Sequence, residues 1–492
     1  MSKSPLNLQV PEVVTRVTEK IEAAGYEAFL VGGCVRDHIM GLIPKDYDVT
    51  TNAAPEQIIA LFGEDETFYD NPFGTVGVKT DSEDSALKVV EVTPYRLESG
   101  YSDNRRPDSV RFSQKLEDDL GRRDFTINAI AYSPSKGHIV DLYDGIKDIE
   151  LKIIRTVGDP DLRFAEDALR LMRAVRFAAQ LDFVIEQNTF NSLFGTHETL
   201  KNVSRERIKD EFSKLLLTKN PSVGMFLLLQ SKLLQFVSVD LVNAVGVSQN
   251  KQAHKYDVFE HLVRSLQYAA DQDFSFEIRL ASLFHDIAKP HTKRTTNGKT
   301  TFFGHEVVGE RVTRQTLTDL KFSRETIEYV SKLIRWHMFF SDPDEITLTA
   351  VRRMIARVGE TALWDLIKLR QCDRIGTGRP TANPYRLRKY VSMIEEALKD
   401  PVSLKTLKVD GVLLMKHGFK PGKAMGNVLY ALFDEVLENP ALNTEEYLVA
   451  RAKELQGLPE AELALLAEKG KDALKSENDG QVAEIRKKHG VE

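Results

Sequence analysis

A chain of 492 residues is too long for one hydrophobic core and points to three or four domains. Its 42% hydrophobic and 28% charged residues suit a globular protein, and a formal net charge of −6 excludes a global basic field, so a nucleic-acid partner must be met by local patches. Only Cys34 and Cys372 are present, which excludes a disulfide framework and a cysteine-based zinc site and suits a reducing cytoplasm.

In chain order, residues 11–25 carry Val13, Val14, Val17 and Ile21 at helical spacing, after an N-terminus (Met1 to Pro5) without a signal-peptide apolar core. Phe29, Leu30 and Val31 form a short buried strand. Gly32 and Gly33 then let the backbone turn tightly, and Val35, Arg36, Asp37 and His38 open a helix whose start offers N–H donors to a phosphate. Asp46 and Asp48 fall two apart in a second strand, where the period of two predicts both carboxylates on one face, able to bridge hard divalent cations such as Mg²⁺. Either motif alone reads as readily as a loop or a solvated acidic pair; their closeness points to phosphoryl chemistry.

The run from Ala86 to Thr93 is β-rich with one acid, Glu91, which reads either as a solvent-face residue or as a third carboxylate of a two-metal site. Leu97 to Pro107 is rich in turn formers and reads as a mobile charged loop. Leu116 to Ala131 predicts two short helices around Arg122, Arg123 and Asp124. Asp124 is there either an N-cap beside exposed arginines or, with Asn128, an orienting group next to a triphosphate on Arg123.

After Pro160 the chain is almost wholly helical in pattern. A long helix is predicted from Phe164 to Phe177, with Arg170, Arg173 and Arg176 along one side and Leu169, Met172 and Val175 as a packing stripe. Asp167 stands three residues before Arg170 and can pair with it. Aligned arginines without intervening carboxylates repel one another, a cost easier to understand if they face phosphates or bases. Ser204 is read as the N-cap of a scaffold helix carrying Arg207 at its third position. The most apolar segment, Met225 to Val247, is broken by Gln230, Lys232 and Asp240 and reads as core rather than membrane span.

Gly32-Gly33-x-x-Arg36-Asp37, Asp46-x-Asp48, Arg122-Arg123-Asp124-Phe125-Thr126-Ile127-Asn128-Ala129 and Glu166-Asp167-x-x-Arg170-x-x-Arg173, in this order, resemble the class II tRNA nucleotidyltransferases, the CCA-adding enzymes, with bacterial poly(A) polymerases as relatives. The resemblance spans roughly residues 25 to 215. It implies an α+β fold with a polymerase-beta-like head on a small mixed sheet, followed by an all-α neck, body and tail. It implies that Asp46 and Asp48 hold two Mg²⁺ ions for nucleotidyl transfer, beside Glu91 as the candidate third catalytic carboxylate, and that Asp167 and Arg170 hydrogen-bond the incoming base in place of a template. Gly32, Gly33, Arg36, Arg123, Asp124, Asn128, Arg173 and Arg176 complete the implied nucleotide site. The Glu98 to Pro107 loop would permit the switch from C to A addition.

A second constellation follows: His261, His285, Asp286, His305, His337 and Asp373. A single His-Asp pair on an apolar helix reads as structural. The whole series, with Lys289 three residues after Asp286, resembles an HD-domain metal phosphohydrolase holding one or two divalent transition-metal ions that activate water. Arg374 to Pro384 reads as a linker. Gly411 to Gly426 reads as a plain helix connection or a turn onto RNA phosphates, and residues from Glu468 on as a solvated helix or frayed tail.

The expected division is a head at 1–154, a neck at 155–240, an HD body at 241–378 and a tail touching tRNA at 379–492. The expected function is addition or repair of the tRNA 3′-CCA end from CTP and ATP in the cytoplasm, with no membrane partner; the oligomeric state is left open. The alternatives are an A-adding or poly(A) polymerase and, in another class, an HD phosphohydrolase with an RNA-binding head.

Overall fold

The computed structural model describes residues 8–69, 74–99, 109–249, 255–296, 299–338 and 346–472. The chain falls into two compact units, Met1–Val239 and Asp240–Glu492.

The first unit opens with α1 (Glu12–Ala23), which buries Val14, Val17, Thr18 and Ile21 along one stripe. There follow β1 (Ala28–Val31), α2 (Gly33–Ile39), β2 (Asp48–Thr51), α3 (Pro55–Phe62), β3 (Thr67–Tyr69), β4 (Val76–Lys79), β5 (Val89–Pro94), β6 (Arg96–Ser99), β7 (Ser109–Phe112), α4 (Leu116–Gly121), β8 (Ile130–Ser133) and β9 (His138–Asp141). Seven strands make one mixed sheet in the order β3-β4-β5-β2-β1-β8-β9. All four residues of β1 are buried, as its unbroken apolar run predicts for a strand covered on both faces. The β2–β5 pair alone in this sheet is parallel, and its register sets Asp48 opposite Glu91.

Three expectations in and beside the sheet need correction. Strand β5 begins at Val89, because Ala86 to Lys88 close a turn on the Asp84 carbonyl and side chain. Leu97 to Ser99 belong to β6, paired antiparallel with β7, rather than to a loop; residues 100–108 of that predicted loop lie outside the described residues. Asp46 lies in the bend before β2, not in the strand.

Beyond the sheet come α5 (Gly145–Leu151), β10 (Ile153–Ile154), α6 (Pro160–Glu166), α7 (Leu169–Leu181), β11 (Val184–Ile185), α8 (Gln187–Thr196), α9 (Arg205–Leu216) and α10 (Pro221–Gln230). The single helix predicted over 164–177 is two. Asp167 is extended (φ −140°, ψ 103°) and its carboxylate accepts the Leu169 N–H at 3.0 Å, so a short polar side chain has out-competed the helical backbone. Ser204 stands at the N-cap of α9, but its side chain makes no capping bond.

The second unit is helical apart from one hairpin. It runs through α11 (Val239–Asn243), α12 (Val258–Asp271), α13 (Phe276–Phe284), α14 (Lys289–Thr292), β12 (Arg294–Thr296), β13 (Lys299–Thr301), α15 (His305–Asp319), α16 (Arg324–Trp336), α17 (Leu348–Val358), α18 (Glu360–Gly376), α19 (Tyr385–Ala397), α20 (Gly411–Lys416), α21 (Lys423–Glu438), α22 (Glu445–Gln456) and α23 (Glu460–Asp472). The break between α18 and α19 is shorter than the predicted linker, since Arg374 to Gly376 complete α18. Gly376 has no room for a side chain: a Cβ would stand 2.7 Å from the His261 carbonyl oxygen, which is how α18 comes close against α12. Gly411 opens α20, Gly418 and Gly422 lie in the connection from α20 to α21, and the last helices share a core that includes Leu414, Leu432, Phe433 and Leu448. Among the described residues no helix is long and apolar enough to cross a membrane.

Candidate active site and metal centre

Gly32 ends β1 in the left-handed region (φ 82°), where a residue with a side chain would be strained. A Cβ there would lie 3.2 Å from Arg123 Nη1 and 3.7 Å from Asp48 Oδ2. A bare stretch of backbone, a guanidinium and a carboxylate therefore meet over one spot. Helix α2 has only seven residues, so this convergence, more than a helix dipole, makes the cradle.

Glu91 reaches the same place through the parallel register, and Asp46 through the bend before β2 rather than by strand alternation. Burial first, then the charges of Asp46 and Glu91, push the Asp48 carboxyl up to about 7, with Arg123 opposing. Asp46 and Glu91 are exposed and Asp48 partly so. Among the described residues these three do not close into a group of ligand atoms within 4.8 Å of one another. Such an open acidic set suits Mg²⁺, which keeps several waters and takes further oxygens from a nucleotide's phosphates.

Behind the cradle, buried Asp119 on α4 holds two arginines at once. Its Oδ1 accepts from Arg122 Nη2 at 2.6 Å and Nε at 3.0 Å; its Oδ2 accepts from Arg123 Nη2 at 3.0 Å and Thr50 Oγ1 at 3.2 Å. Burial works against its charge, but Arg123 and Arg122 hold the carboxyl below its ordinary value. Asp119 was not singled out in the sequence, although it stands three and four residues before the two arginines, the spacing of a helical ion pair.

Asp124 is not an N-cap: Phe125 occupies that position of the short turn over Thr126–Asn128. Instead its carboxylate accepts from the Phe125 N–H (2.8 Å), Asn128 Nδ2 (3.2 Å) and Arg173 Nε (2.7 Å). Asn128 Oδ1 in turn accepts from Arg36 Nη1 at 2.7 Å, and Arg36 pairs with Asp37. The chain Arg36–Asn128–Asp124–Arg173 thus ties α2 to α7. Burial opposes the Asp124 charge, yet Arg173 and Arg170 bring its carboxyl down to about 2. The Phe177 ring lies against three guanidiniums, those of Arg36 (5.3 Å), Arg173 (5.2 Å) and Arg176 (3.9 Å).

The arginine row of α7 is not short of carboxylates, contrary to the expectation from local sequence. Arg170 pairs with Glu166 (2.6 Å), Arg173 with Asp124 (2.5 Å) and Arg176 with Glu211 of α9 (2.6 Å). Two of those partners, Asp124 and Glu211, lie 49 and 35 residues away in sequence and cannot be seen in a local window. Nor do the Asp167 and Arg170 side chains pair. Asp167 is held by both terminal nitrogens of Arg207 (3.1 and 2.8 Å), and Arg170 also donates to the carbonyls of Arg122 (2.7 Å) and Arg163 (3.0 Å). Arg207, read as a scaffold residue, is therefore part of the constellation, while buried Arg176 is committed to Glu211 and Gln180.

In the second unit all six predicted ligands are buried. Their ligand atoms form two groups that share Asp286: His261, His285, Asp286 and Asp373, and Asp286, His305 and His337, each within 4.8 Å. Asp286 Oδ2 faces His261 Nε2 at 3.1 Å, while its Oδ1 faces His305 Nε2 at 3.0 Å. The ring nitrogens not facing the centre fit a metal site. Nδ1 of His285, His305 and His337 lies 3.0, 2.8 and 2.7 Å from the carbonyls of Ser282, Phe302 and Ile334. An N–H donated there fixes the tautomer and turns each Nε2 lone pair inward.

Lys289 Nζ lies 2.5 Å from Asp286 Oδ2 and donates to Gln249 Oε1 at 2.7 Å. Against burial, Lys289 and His285 keep Asp286 well below the usual carboxylate range, and Asp286 raises His285 to about 10. A cavity of about 660 Å³ opens on this centre, lined by Asp286, Lys289, His305, His337 and Asp373 and, further out, by arginines and Tyr385.

The family model of the poly A polymerase head domain matches residues 28–155, that of the probable RNA and SrmB-binding site of polymerase A matches 182–241, and that of the HD domain matches 258–367. A CCA-adding enzyme of Ligilactobacillus salivarius is 33% identical over 451 residues, covering 89% of this chain and 95% of its own length. One from Lactobacillus delbrueckii subsp. bulgaricus is 45% identical over 218 residues, 44% of this chain and 53% of the relative. Among solved structures, the Bacillus stearothermophilus CCA-adding enzyme in complex with CTP is similar with a TM-score of 0.67 at 25% identity, covering 90% of this chain and 98% of that one. The Thermotoga maritima CCA-adding enzyme complexed with tRNA shares the fold, with a TM-score of 0.54 at 17% identity over 91% of this chain and 96% of that one. The chain belongs to the family of CCA-adding enzymes.

Proposed function

We propose that this chain adds or repairs the 3′-terminal CCA of tRNA from CTP and ATP, with the chemistry in the head and the choice of base in the neck. The observation that carries this reading is the convergence of the Gly32 backbone, Arg123 and Asp48 beside Glu91. Asp46, Asp48 and Glu91 would hold two Mg²⁺ ions, which when bound lower the pKa of the RNA 3′-hydroxyl and stabilise the departing pyrophosphate. Arg123, steadied by Asp119, faces the triphosphate, and the open turn at Gly32 lets it approach the backbone. The 3′-oxygen forms the new bond to the α-phosphorus as the bond to pyrophosphate breaks.

Base choice falls to Asp167 and Arg170. An arginine offers only donors and a carboxylate only acceptors, so together they match one edge of cytosine or adenine. Asp167 stands on Arg207 and Arg170 on Glu166, so nucleotide binding works by redistributing those hydrogen bonds. Arg36, Asp124, Asn128 and Arg173 hold α7 against the head and fix the distance between chemistry and choice.

The six-ligand centre is read as an HD metal phosphohydrolase using a divalent transition metal, in a body at 241–378 between the neck (155–240) and a tRNA-contacting tail (379–492). A cytoplasmic setting follows from a tRNA substrate. The deciding experiment incubates the protein with tRNA ending before CCA, with CTP and ATP separately and together. Addition of C, C and A in that order supports this reading; long tails from ATP alone support the A-adding or poly(A) alternative.

A further inference from the structure

We propose that Arg374 and Arg379, at the mouth of the cavity on the HD centre, bind a second phosphate group of its substrate, so that this centre acts on nucleotides carrying two or more phosphates rather than on a lone phosphate monoester. The proposal rests on the phosphohydrolase reading of that centre.

The cavity, about 660 Å³, is of the size that encloses a whole nucleotide-sized ligand, roughly 300–1,000 Å³, and far exceeds what one phosphate fills. Four of its cations divide into two sets. Lys289 is committed to Asp286 and Gln249, and Arg370 lies 2.5 Å from Asp373, so both are held to the metal ligands. Arg374 and Arg379 are not. Among the described residues neither makes an ion pair, although the chain carries 73 acidic residues against 67 basic ones.

Arg374 is instead fixed by a bond from Nε to the Thr381 carbonyl (2.7 Å), which holds it on the turn between α18 and α19. Two guanidiniums on one cavity wall without an ion-pair partner repel one another, and an anion of matching geometry relieves that cost. On the same rim Tyr385 is 66% exposed and Met338 55%, an apolar face on which a base can stack, which inorganic polyphosphate would not use. The step is a plain hydrolysis: a water oxygen forms the new P–O bond at the terminal phosphorus, the P–O bond to the leaving group breaks (an ester in a 3′-phosphate, an anhydride in a polyphosphate), and a proton from the water passes to the leaving oxygen.

Two sources share this chemistry, an RNA 3′ end and a free nucleoside polyphosphate. The test uses the full chain supplied with Mn²⁺ or Ni²⁺ and compares p-nitrophenyl phosphate, a dinucleotide ending in a 3′-phosphate, and ATP. In the Arg374→Gln/Arg379→Gln variant, the preference in kcat/KM for the dinucleotide or for ATP over p-nitrophenyl phosphate should fall about tenfold or more. Which of the two falls identifies the source. An unchanged ratio overturns the proposal. Should the chain hydrolyse none of the three, the phosphohydrolase reading fails by itself; equilibrium binding of the same dinucleotide then decides the subsite, which falls if wild type and variant bind it equally.

Discussion

The two acidic centres of this chain are built on opposite plans. In the head, Asp46 and Glu91 are exposed, Asp48 is only partly covered, and the set does not close among the described residues. In the HD body, six buried side chains bring their ligand atoms within 4.8 Å in two groups joined by Asp286, and backbone carbonyls set the orientation of three of the histidines. An open set would take its remaining oxygens from the substrate, so a metal there would arrive with the nucleotide. A closed set is complete beforehand and can hold an ion without one. Burial and then the charges of Asp46 and Glu91 disfavour the charge at Asp48, whereas Lys289 and His285 overcome burial to keep Asp286 ionised.

The sharpest break between the plans is expected from Asp46→Ala or Asp48→Ala, which should lower nucleotide addition by about a thousandfold or more while metal bound in the HD body stays in place; primer extension and metal analysis read the two together. Conversely, Asp286→Ala removes the ligand shared by both groups and leaves Lys289 buried without its counter-charge, a cost of roughly 3–5 kcal/mol. Metal content should fall for both groups and the thermal midpoint should drop, with CTP incorporation at low temperature persisting.

A smaller effect is expected at Asp119→Asn, because the carboxylate reaches the nucleotide only through Arg123. The nucleotide KM should rise about tenfold with a lesser change in kcat, and Asp119→Glu should restore part of it. At Arg170→Ala the loss should appear as discrimination, with misincorporation of UTP or GTP rising by about one order of magnitude; unchanged selectivity would remove Arg170 from the base-reading role.

The pH dependence is the mildest test. Asp48 stands near 7 in the folded head against an ordinary value of 3.8. Between those values the folded head keeps a proton that the unfolded chain gives up, so the metal-free head loses stability as pH rises through that window. Mg²⁺ binding displaces the proton, so affinity should climb with pH and level off above about 7. Calorimetry in buffers of different ionisation enthalpy should show proton release near pH 6, absent in Asp48→Asn.

How much of this was legible in the sequence follows from how far apart the cooperating residues lie. Gly32, Asp48 and the His285-Asp286 pair are legible because each sits in a short motif whose residue types carry the chemistry, whereas His261, His305, His337 and Asp373 enter only through the resemblance of the whole series. Strand β1 and helix α1 were found because their periodicity is local. The break at Asp167 was missed because an apolar period of 3.6 runs straight through it, and only the capping chemistry of aspartate opposes it. The carboxylates that neutralise the α7 arginines, Asp124 and Glu211, and the partner of Asp167, Arg207, are brought in by tertiary packing from as many as 49 residues away, beyond any window of helical spacing. Asp46 was placed in the wrong element for a different reason: the D-x-D pattern fits a strand, but the strand starts at its second aspartate.

The central claim, that nucleotide addition belongs to the open head set alone and tight metal binding to the closed body set, is tested most directly by one preparation of the Asp46→Ala/Asp48→Ala protein assayed in parallel for incorporation into tRNA ending before CCA and for tightly bound metal after dialysis. The account predicts no incorporation of C or A with metal retained at the wild-type level. Incorporation that survives, or metal lost together with incorporation, would contradict it.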